Sequence, residues 1–259
     1  MFYEMIGFAT SQGDVTESHL PEIDLDKAAL LLDFDGVLAD IAETPDQVQV
    51  PDDLPGLLDA LVERTGGATA VISGRALAVL QDILPDFKGT LMGCHGAEVA
   101  GAGEVRGYAP PDARHVAAVI GMVQGFGLTD PAYAVEAKPT GVVLHFRRKP
   151  ELRGSAYRFL EAAIHDLPGF EIHYAKMALE IRPEGVSKGS AVERLMQDAP
   201  FAGRRPLYAG DDTSDEEAFA LVNAADGLSV KVGEGDTCAH FRTPDPATLR
   251  AALATLIRD

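Results

Sequence analysis

Ala28-Ala29-Leu30-Leu31-Leu32-Asp33-Phe34-Asp35-Gly36 is the stretch that decides the fold. Its apolar run, Ala28–Phe34, reads as a strand buried on both faces, and Asp-x-Asp-Gly as the turn that leaves it. Outward from there, strands and helices alternate. Leu54, Leu57, Leu58, Leu61 and Val62 fall at helical spacing over Leu54–Arg64, and Gly66-Gly67 stops the helix. Ala68–Ile72 reads as a second strand that ends in Ser73-Gly74-Arg75. Ala76–Leu84 reads as a helix closed by Pro85, and Thr90–Met92 as a third strand ending near Cys94-His95-Gly96. The alternation resumes late in the chain with a helix over Ser187–Gln197 and a strand over Pro206–Ala209 that runs into Gly210-Asp211-Asp212. A helix over Asp215–Val222, a strand over Gly227–Val232 and a helix over Pro246–Ile257 complete it. This order implies an α/β fold, a parallel sheet with helices on both faces, whose ligands bind beyond the carboxyl ends of the strands.

The chain has 259 residues and a net charge of −18, with 22 basic against 40 acidic residues. That balance argues against nucleic acid and anionic membranes as partners, and requires local cations or a metal to draw in an anionic substrate. The apolar runs fall far short of the ~18 residues of a membrane span. The start, from Met1 to Asp14, carries no basic segment of a secretory signal, and Cys94 and Cys238 stand apart from any Cys/His cluster. A cytoplasmic protein with reduced thiols is the expectation. The charge is unevenly spread: net −15 over residues 1–105, +2 over 106–183 and −5 over 184–259. A near-neutral segment between acidic flanks reads as an inserted domain. Its left boundary is rich in Gly101, Gly103, Gly107 and Pro110-Pro111, and its right boundary is Pro183-Glu184-Gly185.

Three polar clusters each follow a strand and so converge on one sheet edge. Asp33 and Asp35 can hold a hard divalent cation such as Mg2+. Alternatively one can attack phosphorus while the other serves as general acid and base; a solvated acidic turn has the same spelling. Ser73-Gly74-Arg75 offers a hydroxyl and free amides at a helix start to a phosphate oxygen, or only a cap. Asp211, Asp212 and Asp215 fall within five residues, and a metal relieves the repulsion between close carboxylates. An acidic helix start accounts for Asp215 and Glu216 but not for Asp211. Lys188, near the start of the helix after the insert, can neutralise a phosphate and an aspartate together.

Within the insert, Val142, Leu144 and Phe146 alternate with polar residues, as do Leu179 and Ile181, and Asp112–Phe126 and Arg153–Leu167 read as helices. The simplest arrangement is a small antiparallel sheet backed by two helices. Its other face carries Glu136, Lys138, His145, Arg147, Glu180 and Arg182, either solvated or available to sugar hydroxyls.

Asp-x-Asp-Gly, Ser73, Lys188 and Gly-Asp-Asp-x-x-Asp in this order resemble the haloacid dehalogenase (HAD) superfamily of phosphotransferases. The resemblance implies a HAD-like, Rossmann-like core at 1–105 and 184–259 with an α+β cap at 106–183. It implies Asp33 as nucleophile, Asp35 as acid/base, and Ser73 and Lys188 on the phosphate. Mg2+ would be held by Asp33, the Asp35 carbonyl and Asp211, with support from Asp212 and Asp215. Val37 stands where that superfamily often has Thr, which removes a hydroxyl beside the acid/base and is expected to alter the rate. Val135-Glu136-x-Lys138, His145-x-Arg147, Glu180-Ile181-Arg182-Pro183, Gly185-x-x-Lys188-Gly189 and Gly93-x-His95-Gly96-x-Glu98 look like the trehalose-6-phosphate phosphatase family. That resemblance implies that Glu136, Lys138 and Glu180 grip the sugar without the phosphate, that the substrate is trehalose 6-phosphate, and that a separate trehalose-phosphate synthase is functionally coupled. His95 and Glu98 read as supports near the core–cap junction. A phosphatase for sucrose phosphate or glucosylglycerate phosphate, a phosphosugar mutase, and a non-catalytic binding module are the alternatives; the intact Asp33, Asp35, Lys188 and Asp211 argue against the last.

Overall fold

The computed structural model describes residues 23–42, 47–101, 111–175 and 177–257. Most of the glycine-rich boundary, including Gly103, Gly107 and Pro110, and residues 1–22 lie outside the described residues. In chain order the elements are β1 (Ala28–Leu32), α1 (Leu54–Arg64), β2 (Thr69–Ile72), α2 (Leu77–Ile83), β3 (Thr90–Gly93) and β4 (Glu98–Ala100). Then come α3 (Ala113–Gly127), β5 (Ala134–Lys138), β6 (Gly141–His145), α4 (Arg153–Ile164), β7 (Phe170–Ala175) and β8 (Ala178–Pro183). The chain continues through α5 (Lys188–Leu195), β9 (Arg205–Gly210), α6 (Glu216–Ala224), β10 (Leu228–Val232), β11 (Phe241–Thr243) and α7 (Pro246–Leu256).

The larger sheet has seven strands in the order β11-β10-β9-β1-β2-β3-β4, all parallel except β4, which runs antiparallel to β3. Along β1 successive side chains serve opposite faces. Leu30 and Leu32 pack with Leu54, Leu58 and Leu61 of α1, Leu80 of α2, and Leu249 and Leu253 of α7. Ala29 and Leu31 pack with Ala191, Val192 and Leu195 of α5 and with Ala218, Phe219 and Val222 of α6. Both faces are therefore dry, which is why β1 reads as an unbroken apolar run. From β1 the chain moves outward to β2 and β3 on one side and returns to lay β9 on the other. The crevice at such a reversal is where open α/β sheets bind ligands.

The smaller sheet is antiparallel, in the order β5-β6-β8-β7. Val142, Leu144, Leu179 and Ile181 point into a core closed by Val116, Val119 and Val123 of α3 and by Ala156 and Leu160 of α4. The expected fold class is thus observed, with three strands added. β4 and β11 are three residues each, too short to show a period. β7 alternates, but it follows only five residues after α4, where the apolar residues Ile164 and Leu167 extend the helical pattern. Among the described residues no helix is long and apolar enough to cross a membrane.

Leu144 is fully buried between the smaller sheet and its helices. Leu144→Ala should lower stability by about 2–5 kcal/mol, read as a shift in the denaturant midpoint.

Candidate active site

Asp33 follows β1 directly, and its carboxylate is buried. Its Oδ1 accepts from the Phe34 amide (2.7 Å), and its Oδ2 accepts from Lys188 Nζ (2.6 Å). Lys188 opens α5, whose start is fixed by a reciprocal cap between Ser187 and Ser190. The ammonium donates equally to Asp215 Oδ1 (2.7 Å), so it sits between two buried carboxylates. Asp215 is also held by the Tyr208 hydroxyl (2.6 Å) and by the amides of Asp211 and Asp212 at 3.0 and 2.9 Å. Those two amides belong to the turn that leaves β9, so Asp215 shapes the loop that presents Asp211. Lys231 donates to the Asp211 carbonyl from β10.

Electrostatics follows from burial. Burial pushes Asp33 well above the ordinary carboxylate range, against the pull of Lys188 and with the repulsion of Asp215 and Asp211. Asp211 is pushed up to about 6, by burial and then by Asp215. Burial also opposes ionisation of Asp215, but Lys188 and Tyr208 outweigh it and hold Asp215 low. Burial works against the Lys188 cation, yet Asp215 and Asp33 raise it above a normal lysine. One ammonium is thus too little charge for three carboxylates. Asp33, Asp211 and Asp215 bring carboxylate oxygens within 4.8 Å of one another, a donor set that fits a hard divalent cation. Gly36 approaches from the first turn with φ 72°, and a Cβ there would collide with the Asp211 carboxylate, so the turn closes over the cluster only as glycine.

The remaining expected residues lie around this cluster. The Asp35 carboxylate is not part of it; Arg75 grips it in a two-bond fork, Nε to Oδ2 and Nη2 to Oδ1, both 2.7 Å. The Asp212 carboxylate also lies outside the cluster. Ser73 is buried, and its hydroxyl accepts from the Arg75 amide (3.2 Å). A cleft of about 670 Å3 is lined by Asp33, Asp35, Ser73, Gly74, Lys188 and Asp211 among others. A second cleft of about 1050 Å3 adjoins it, sharing Asp35, Gly74, His95, Asp212 and Ser214. Its other wall is the polar face of the smaller sheet, with Glu136, Lys138, His145, Arg147, Glu180 and Arg182. Lys138 Nζ lies 2.8 Å from Glu180 Oε1, and His145 Nε2 lies 3.1 Å from Glu136 Oε2. Burial opposes ionisation of Glu180, but contacts with His95 and Lys138 outweigh it and hold Glu180 well below the usual range. Glu136 is lowered chiefly by His145. Arg147 is exposed on that wall, away from the aspartate cluster.

Tyr208 and Lys231 are the structural supports that the sequence hides. Tyr208 stands in an apolar strand and looks like core, and Lys231 alternates with Val230 and Val232 as a solvated strand residue would. No spacing signal separates either from its bland reading.

Lys188→Met removes the charge and keeps the volume, leaving Asp33 and Asp215 buried without their counter-ion. It should destabilise the protein by about 3–5 kcal/mol, measured by denaturant unfolding, and adding a divalent cation should recover part of that loss.

The sequence pattern of the trehalose-phosphatase family matches residues 31–247. The chain is 36% identical over 219 residues to the trehalose-6-phosphate phosphatase of Escherichia coli strain K12, covering 83% of this chain and 81% of that protein. It is 37% identical over 243 residues to a probable trehalose-phosphate phosphatase of Sinorhizobium fredii, covering 90% and 89%. Among solved structures it is similar to a trehalose-6-phosphate phosphatase related protein at a TM-score of 0.68 and 27% identity, over 88% of this chain and 96% of that one. The match spans both sheets and every element that carries the aspartate cluster: this chain belongs to the trehalose-phosphatase family.

Proposed function

We propose that this protein hydrolyses trehalose 6-phosphate to trehalose and phosphate through an aspartyl-phosphate intermediate. The observation that carries the reading is the junction of two clefts, one built on buried carboxylates around Lys188 and the other on the polar face of the smaller sheet. A substrate with one anionic end and one hydroxyl-rich end fits across them. We further infer that residues 106–183 act as a cap inserted into a catalytic core formed by 1–105 and 184–259, that the metal is Mg2+, and that the protein works in the cytoplasm. The substrate has to be made by a glucosyl-transferring synthase, and coupling to such an enzyme belongs to the same reading.

Asp33, the Asp35 carbonyl and Asp211, supported by Asp212 and Asp215, would hold a Mg2+ ion, which would offset the charge of the carboxylates and of the phosphate. The protein's own groups carry the steps. Lys188 and the Phe34 amide fix the Asp33 carboxylate at the end of β1, where it lines the cleft. Asp33 attacks, the phosphorus–oxygen bond to the sugar breaks, and Asp35 delivers a proton to the leaving sugar oxygen. Asp35, now a carboxylate, takes a proton from water as that water attacks the phosphorus. Phosphate leaves and Asp33 is restored. Ser73, the Gly74 amide and Lys188 hold the phosphate oxygens. Arg75 grips both Asp35 oxygens in the substrate-free protein and has to release one of them for Asp35 to carry the proton it delivers. Glu136, Lys138 and Glu180 hold the distal sugar, and Arg147 borders the same cleft.

A panel of sugar phosphates tests the reading. Trehalose 6-phosphate should release phosphate fastest, EDTA should abolish release, Mg2+ should restore it, and Ca2+, with its longer and more numerous bonds, should inhibit. Asp33→Asn should abolish turnover in a folded protein, because the uncatalysed reaction is among the slowest known. Retained turnover in this variant, or full activity in excess chelator, would overturn the assignment.

The cap wall generates a separate expectation. Glu136→Ala, Lys138→Ala and Glu180→Ala should each lower kcat/KM for trehalose 6-phosphate by about 10- to 1000-fold, the scale of lost hydrogen bonds to charged groups. Hydrolysis of p-nitrophenyl phosphate, which has no distal sugar, should change far less. Parallel loss of both activities in folded variants would make these residues structural or catalytic instead.

A further inference from the structure

Two of the side chains assigned to the distal sugar already reach across to the core. Lys138 Nζ donates to the Gly74 carbonyl (3.1 Å) as well as to Glu180 Oε1 (2.8 Å). Glu180 Oε2 lies 3.4 Å from His95 Nε2. Gly74 follows β2 and His95 follows β3, so both belong to loops of the larger sheet. These loops are tied to one another: the His95 amide donates to the Ser73 carbonyl (2.8 Å), and the Cys94 amide to the Arg75 carbonyl (2.7 Å). The His95 ring packs flush on Gly74, where a Cβ would come within 2.8 Å of Cε1. The contacts therefore form a closed circuit, Gly74 to Lys138 to Glu180 to His95 and back to Gly74.

The backbone is bent to make this circuit. Cys94 and His95 both have left-handed φ, 48° and 57°. Two successive non-glycine residues in that region cost energy, and such strain is retained where the surroundings over-determine it. The setting is dry, with 12%, 9% and 13% of the side chains of His95, Glu180 and Lys138 exposed. Burial holds the His95 ring below the ordinary histidine range, so near neutral pH it is uncharged.

We infer that Lys138 and Glu180 are the latch that closes the cap as well as part of its sugar grip, and that His95 is the positioning residue on which the latch closes. This rests on the proposed function for the identity of the sugar. Latch and grip are compatible. An ammonium has three donors and a carboxylate about four acceptor positions, and the circuit uses two donors of Lys138 and one contact on each Glu180 oxygen. Sugar hydroxyls add to the circuit without displacing it, so a bound sugar favours the closed cap.

His95→Asn tests this, since asparagine tolerates left-handed backbone but is too short to reach Glu180. His95→Gln restores a longer amide donor. Removing the latch lowers the closed fraction and raises the apparent KM in proportion. In His95→Asn, KM for trehalose 6-phosphate should rise about 5- to 10-fold, the scale of one ordinary polar contact. The kcat for that ester and hydrolysis of p-nitrophenyl phosphate should both stay within about threefold, and His95→Gln should recover part of the KM. In the substrate-free protein, amide hydrogen exchange at Gly74 and Arg75 should accelerate in His95→Asn. Equal loss on both substrates would make His95 a support of the phosphate loop, and unchanged exchange with unchanged KM would leave no latch; either result overturns the inference. The exchange measurement needs no substrate, so it judges the latch even if the panel of sugar phosphates assigns a different ester.

Discussion

The site depends on one buried ammonium. The larger sheet delivers carboxylates from the ends of β1 and β9 to the same crevice, and close carboxylates repel. Lys188 resolves that conflict by standing 2.6 Å from Asp33 and 2.7 Å from Asp215. Its position is costly in isolation, because a cation at a helix N-terminus faces the positive end of the macrodipole. Two buried carboxylates offset that cost, and they in turn need the cation to remain ionised. The arrangement joins α5, β1 and the loop after β9, elements far apart in sequence, through a single nitrogen. It also leaves a deficit: three carboxylates face one ammonium, and Asp211 is pushed up to about 6, by burial first and then by Asp215. The deficit is what makes the cluster receptive to a divalent cation.

A second constraint couples this crevice to the smaller sheet. Ser73, Gly74 and Arg75 occupy three consecutive positions and face three directions. Ser73 lines the cleft of the aspartate cluster, the Gly74 carbonyl accepts from Lys138, and the Arg75 guanidinium grips Asp35. Gly74 has to be glycine for the His95 ring to lie against it. The polar face of the smaller sheet and the Asp35 carboxylate thus contact neighbouring positions of one peptide, although they belong to different sheets.

Most of this was legible in the sequence, for a definite reason. Parallel strands covered on both faces are continuous apolar runs, and each functional cluster stands directly after one, so strand and site announce each other. The Leu54–Arg64 helix was readable to its ends because Leu54, Leu57, Leu58 and Leu61 form one buried stripe and Gly66-Gly67 follows. The polar face of the smaller sheet was readable because Val142 and Leu144 alternate against Val143 and His145. What escaped was short or disguised. β4 and β11 are edge strands of three residues. Tyr208 and Lys231 serve the site from within apolar strands, and only the fold reveals which way their polar ends point. The fork between Arg75 and Asp35 joins positions 40 residues apart and leaves no local pattern at all.

Net charge and local charge point in opposite directions in this protein. A chain of net charge −18 repels a phosphate ester at long range. Screening, however, confines that repulsion to about 8–10 Å at ordinary ionic strength. Within that distance the substrate meets a different field. The clefts present Lys188, Arg75, Lys138, Arg147, Arg148 and Arg182, and the segment 106–183 that supplies four of these six is the only part of the chain with a positive balance. The uneven distribution first read as the mark of an insert thus has a chemical meaning. Segment 106–183 sets cations along the second cleft, beside the carboxylate-rich one, and an anionic ligand is attracted where the two adjoin.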